Sequence, residues 1–116
     1  MAVDDSPSIR KMVALTLKAA GHEVLVAEDG DEAYEMAQNE DSVELVVTDL
    51  YMPNVNGIEL VEKLRKLDNY KYIPLLFLTT ESGVEMKKKG KDAGATGWIV
   101  KPFVPESLLA TINKVL

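Results

Sequence analysis

Four short stretches carry the side chains that could do chemistry. They are Asp4-Asp5, the segment VVTDLYMP at 46–53 with Asp49 at its turn, Thr79-Thr80 and Lys101-Pro102. Each polar group closes an apolar run: Ala2-Val3, Val46-Val47 with Thr48 between it and Asp49, LLFL at 75–78 and GWIV at 97–100. Three carboxylates converging on one point would repel one another and raise each other's pKa. A hard cation among them removes that cost. Carboxylate oxygens, backbone carbonyls and water describe Mg²⁺ better than zinc, which prefers nitrogen and sulfur ligands. A lysine is a point charge for an anion, and a threonine hydroxyl is a hydrogen-bond donor. Around one point these groups suit a phosphoryl group. Phosphoryl transfer is mostly positioning and charge neutralisation, and an aspartate can itself be the nucleophile.

That chemistry needs elements that bring the four stretches together. Ile9, Met12, Val13, Leu17 and Ala20 recur at helical spacing, with Ser6 as N-cap, Pro7 at the first helical position and Gly21 past the end. EVLVA (23–27) reads as a strand, and DEAYEMAQN (31–39) as a short helix with acids in its first turn. VELVVTD (43–49) reads as a strand. Asn56-Gly57 is a turn signal, and Leu60, Val61, Leu64 and Leu67 mark the next helix. IPLLFLT (73–79) has the continuous apolar character of a strand buried on both faces. Residues 82–93 read as a weak helix, softened by Gly83 and Gly90, since an interior glycine costs about 1 kcal/mol relative to alanine. GWIV (97–100) is a strand. After Pro102 and Pro105, the residues Leu108, Leu109, Ile112, Val115 and Leu116 form a last helical stripe.

Strand–helix alternation with continuous apolar strands implies a parallel sheet covered on both faces. Its ligand site lies beyond the carboxyl ends of the strands, where all four stretches fall. Five strands result if Ala2-Val3 closes a first one. Only three residues precede Asp4, whereas a strand typically needs ~5. The expectation is a truncated first strand in a chain lacking its natural N-terminal residues.

Composition narrows the function. The 116 residues are the length of one domain, 1–116, and 47% apolar content is enough for a core. No apolar run approaches the ~20 residues that span a membrane, and MAVDDSPSIR has no apolar leader core. A cytoplasmic location is expected. With no cysteine there is neither a disulfide framework nor a thiolate metal site. The net charge of −6 argues against nucleic-acid binding, which needs a basic face. A single histidine, His22, argues against Ser-His catalysis and multi-histidine metal sites.

The whole chain resembles the receiver domain of two-component response regulators, most closely the single-domain chemotaxis members. The resemblance is carried by Asp4-Asp5-Ser6, by Asp49-Leu50-Tyr51-Met52-Pro53 with Gly57 eight residues after Asp49, by Thr79-Thr80-Glu81 and by Lys101-Pro102-Phe103. It implies a flavodoxin-like (βα)5 doubly wound parallel sheet of order 2-1-3-4-5. It implies that Asp49 accepts a phosphoryl group from the phosphohistidine of a histidine kinase and forms an acyl phosphate. Asp5 would ligate Mg²⁺ directly and Asp4 through water, with Asp49 and the Tyr51 backbone carbonyl completing the set. Thr79 would hydrogen-bond a phosphoryl oxygen, and Lys101, before a cis proline, would pair with carboxylate or phosphoryl. The switch would couple Thr79 to an inward-turning Trp98. Tyr51 and Glu81 occupy positions that modulate dephosphorylation, and a bulky Tyr51 could restrict water. Such a protein is not a conventional enzyme and catalyses only its own phosphorylation and dephosphorylation. The implied partners are the kinase, an output protein such as a flagellar motor component, and a phosphatase; neither nucleic acid nor membrane is implied.

Plainer readings stand beside these. Asp4-Asp5 could cap a helix, and Thr80 reads equally as N-cap of the following helix. Trp98 could be core packing. His22 reads as a solvated turn residue, Met12, Met36 and Met86 as core or gap-fillers, and KKKGK (87–91) as a solvated helix face sooner than a docking patch. One rival function is a Mg²⁺-dependent phosphohydrolase with an aspartate nucleophile. Such enzymes usually carry a second acid two residues on, where this chain has Tyr51. Another is a receiver detached from a larger regulator.

Overall fold

A computed structural model describes residues 1–116. In chain order the elements are β1 (Ala2–Val3), α1 (Pro7–Ala19), β2 (Val26–Ala27), α2 (Gly30–Asn39), β3 (Val46–Thr48), α3 (Gly57–Arg65), β4 (Leu75–Thr79), α4 (Val84–Ala93), β5 (Gly97–Val100) and α5 (Pro105–Val115). A 3-10 turn at Asp68–Tyr70, which no sequence signal marked, joins α3 to β4. All strand pairs are parallel and the order is β2-β1-β3-β4-β5, the flavodoxin-like doubly wound sheet.

Alternation along the strands builds two cores. Leu75 and Phe77 point to one face with Val3 and Val46, against Ala33 and Ala37 of α2 and Leu60, Val61 and Leu64 of α3. Leu76 and Leu78 point to the other with Ala2 and Val47, against Val13 and Leu17 of α1 and Leu108 and Ile112 of α5. The first three helices, α1, α2 and α3, start where side chains satisfy their first N–H groups. The Ser6 hydroxyl accepts from Ile9 N, and the Asp29 carboxylate from Glu32 N. Asn56 and Glu59 form a reciprocal capping box, so Asn56-Gly57 begins α3 directly and is no separate turn.

Several sequence expectations are corrected. Residues 23–25 fall outside the ladder because β1, their neighbour, is two residues long, although Ala2 N still donates to Leu25 O at 2.8 Å. Residues 43–45 also fall outside the ladder: β3 begins at Val46, opposite Leu75, and the residue before Leu75 is Pro74, which has no N–H to give. Met12 and Leu15 are 45% and 56% exposed, so the buried stripe of α1 is narrower than its apolar spacing suggests. Met36 and Met86 do pack against the core, and His22 is exposed beyond Gly21, whose φ is +95°. Gly90 does more than soften α4. It is buried, and a Cβ there would lie 2.8 Å from Trp98 Cζ3 and 2.9 Å from Phe77 Cε2. Only a glycine lets α4 approach those two rings this closely.

Candidate functional site

Sheet register sets the site. Val3 lies opposite Thr48, so the next residues, Asp4 and Asp49, emerge side by side, and Asp49 N donates to Val3 O at 2.9 Å. Thr79 lies opposite Val100, and Lys101 N donates to Thr79 O at 2.8 Å. The apolar runs thus deliver four polar groups to one edge of the sheet. The Lys101-Pro102 peptide is cis.

Lys101 reaches across the central strands. Its Nζ lies 2.9 Å from Asp4 Oδ2 and 3.3 Å from Asp49 Oδ2. The three side chains are only 13%, 5% and 12% exposed, so these ion pairs are largely desolvated. Asp4 Oδ1 accepts from Ser6 N at 2.9 Å, and the Asp4 carbonyl accepts from Arg10 Nη1 at 2.8 Å. Asp4 therefore braces the turn into α1 while Ser6 makes the cap. No sequence pattern pointed to Arg10. Asp49 Oδ1 accepts from Leu50 N at 2.7 Å. Burial pushes the Asp49 carboxyl above its usual value; Lys101 pulls it down, and Asp4 adds to the rise.

The third carboxylate, Asp5, is exposed at the rim. One oxygen from each of Asp4, Asp5 and Asp49 lies within 4.8 Å of the others. The donors are all hard oxygens, the set that suits Mg²⁺ and not zinc. The Tyr51 carbonyl accepts no hydrogen bond from the protein and remains available as a further oxygen donor.

A second group of contacts centres on Glu81. Thr79 is buried, and its hydroxyl oxygen accepts from Glu81 N at 3.3 Å. The Tyr51 hydroxyl donates to Glu81 Oε1 at 3.2 Å. Trp98 Nε1 donates to the Glu81 carbonyl at 2.8 Å. The indole packs on Phe77, with ring centroids 5.1 Å apart and an angle of 56°. Trp98 is therefore packed inward and its N–H is satisfied. Thr80 is exposed and does not cap α4, whose N-cap is Gly83 with no side-chain acceptor. Lys87, Lys88, Lys89 and Lys91 are all exposed on α4.

A parallel sheet of this order, with acids beyond two adjoining strands and a hydroxyl and a lysine on the next two, is an α/β fold with a site at its carboxyl edge. Residues 1–113 match the response regulator receiver domain, and the chain belongs to that family. Over its full length it is 38% identical to a chemotaxis protein CheY homolog of Campylobacter jejuni, 90% of which is covered. It is also 38% identical to chemotaxis protein CheY1 of Helicobacter pylori, covered to 94%. Its fold superimposes on the solved structure of Vibrio cholerae chemotaxis protein CheY4 with a TM-score of 0.95 and 50% identity, over 99% of this chain and 95% of that one. The protein is thus a CheY-like receiver, of a signalling class and not a classical enzyme class.

Proposed function

We propose that residues 1–116 form a single receiver domain that acts as a phosphorylation-activated switch, with Asp49 as phosphoacceptor and Mg²⁺ as cofactor. The observation that carries this is the cation bridge from Lys101 to two desolvated carboxylates, Asp4 and Asp49, with Asp5 alongside. Uncovered by any counterion but Lys101, such a cluster is poised for a divalent cation and an anion.

A bound Mg²⁺ supplies charge neutralisation to the carboxylates and to the phosphoryl oxygens. Asp5, Asp4, Asp49 and the Tyr51 carbonyl would hold it. The chain's own residues do the rest. Leu50 N–H fixes one Asp49 oxygen and so orients the other toward Lys101. Asp49 attacks the phosphorus of a phosphohistidine on the kinase, and the imidazole leaves. Lys101 remains beside the phosphoryl group as its cation. Thr79 accepts from Glu81 N–H, so its own hydroxyl proton is free for a phosphoryl oxygen. Moving Thr79 toward that oxygen pulls on Glu81 and through it on Trp98. The altered surface then changes affinity for an output protein, in chemotaxis as in the relatives named above, within the cytoplasm; a phosphatase would reset it.

Incubation with acetyl phosphate and Mg²⁺, read by intact mass, tests the assignment. The parent gains one phosphoryl mass and Asp49→Asn gains none. An equal gain in Asp49→Asn, or no gain in the parent, overturns it.

A further inference from the structure

The two ends of α4 are held in different ways. At the carboxyl end, the Arg65 guanidinium from the last residue of α3 donates from Nε and Nη2 to the Gly94 carbonyl, at 2.9 and 2.8 Å. Its Nη1 donates to the carbonyls of Tyr70, Lys71 and Ile73 at 2.9, 3.1 and 2.7 Å. Nη2 also reaches Thr96 Oγ1 at 3.3 Å, and Thr96 in turn is bonded to the backbone of Leu75. One planar fork therefore ties the C-cap of α4 to α3, to the loop before β4 and to the loop before β5. No carboxylate pairs with Arg65; carbonyl oxygens take its donors. Gly94 sits at φ +115°, and a Cβ there would come within 2.9 Å of Arg65 Cγ, so the stem also packs beneath the turn.

At the amino end, α4 has no side-chain cap, and Ser82, Gly83, Val84 and Glu85 are exposed. The connection from Thr79 is held through Glu81 alone: its N–H to Thr79, its carboxylate to Tyr51 and its carbonyl to Trp98. Each partner is a residue of the candidate phosphoryl site or lies beside it.

We propose that Arg65 is a positioning residue of the switch: it clamps the carboxyl end of α4, so that events at Asp49 are expressed as movement of the amino end alone. This rests on the phosphorylation reading above and specifies how that site reports outward. The middle of the helix is pinned by Gly90 against Trp98 and Phe77, so the swinging part is the turn from Gly83 to about Lys88. That turn presents Lys87 and Lys88.

Residue-resolved amide exchange on the full chain, with and without Mg²⁺ plus beryllofluoride, tests this, with intact mass after acetyl phosphate run in parallel. In the parent, the change in exchange falls at Lys87, Lys88 and Lys89 and spares Gly94 and Ala95. In Arg65→Lys, which keeps the charge and loses the fork, exchange at Gly94 and Ala95 rises about tenfold before any ligand is added, the equivalent of one or two net hydrogen bonds. Beryllofluoride then alters both ends of α4, while the phosphoryl mass gain persists because Arg65 lies outside the site. A parent that takes the phosphoryl group and changes equally at both ends overturns the clamp alone, as does Arg65→Lys with parental rates at Gly94 and Ala95. A parent that neither gains mass nor responds overturns the switch, and the clamp with it. The measurement on the parent stands even if Arg65→Lys folds poorly.

Discussion

Lys101→Met keeps most of the side-chain stem and removes the only cation paired with Asp4 and Asp49. An exposed ion pair is worth about 0–1 kcal/mol. Removing one partner of a buried pair costs about 3–5 kcal/mol, because the remaining charge is left uncompensated. The Asp4 and Asp49 side chains are 5% and 12% exposed, so the buried case governs. Access of water past the exposed Asp5 puts the cost at the lower end, about 3 kcal/mol. With a urea slope of about 2 kcal/mol per molar, the midpoint falls by about 1.5 M, whereas a surface pair would move it by about 0.5 M or less. The assay is urea unfolding at neutral pH in EDTA. Mg²⁺ should restore part of the loss by replacing the missing positive charge. Acid should shrink it as Asp49, whose carboxyl is held above its usual value, takes a proton. A midpoint drop under about 0.5 M, or a larger drop indifferent to Mg²⁺ and acid, would refute the electrostatic reasoning.

Three further outcomes are expected. Burial, opposed by Lys101 and aided by Asp4, holds the Asp49 carboxyl above its usual value. The folded chain thus binds that proton more tightly than the unfolded chain does, and the associated stability is present at low pH and lost as pH rises through the folded value. Asp49→Asn removes that loss, so in EDTA its Tm should exceed the parent's near neutrality, with the gap closing below the ordinary carboxylate range; a constant gap across that range would contradict this. Tyr51→Asn breaks the hydrogen bond to Glu81 and removes a bulky ring two residues from Asp49, so the acyl phosphate should hydrolyse faster; an unchanged decay rate would sink the idea that Tyr51 restricts water. Gly90→Ala gains about 1 kcal/mol of helix propensity but forces a methyl into the Trp98 and Phe77 rings, an overpacking worth about 1–3 kcal/mol. The urea midpoint should fall and Trp98 emission should shift to the red, and an unshifted, more stable variant would show that the rings yield freely.

The site was legible because chemistry and topology agree in one dimension. Asp4, Asp49, Thr79 and Lys101 each follow an apolar run, and in a parallel sheet the ends of such runs share an edge. The relay through Glu81 was legible only in part. Its position two residues after Thr79 marks it, but the bond from Trp98 Nε1 to its carbonyl depends on how β5 packs against the following loop. The capping box at Asn56 and Glu59 was present in the spacing and is recoverable from it. Gly90 and Arg65 were not. A helix-breaking glycine and a surface-type arginine look ordinary until tertiary packing brings two aromatic rings to one and carbonyls from residues 70, 71, 73 and 94 to the other. The second strand came out shorter than its apolar run because a ladder needs a partner, and β1, its one neighbour, offers two residues.

Trp98 is the only tryptophan, and its indole is bonded to Glu81, one hydrogen bond removed from Thr79. The most direct measurement is Trp98 fluorescence during titration with Mg²⁺ and then beryllofluoride, in the parent and in Asp49→Asn. A switch built on Asp49 gives a saturable, Mg²⁺-dependent change in the parent that is absent from Asp49→Asn. An unresponsive parent, or an equal response in the variant, would contradict it.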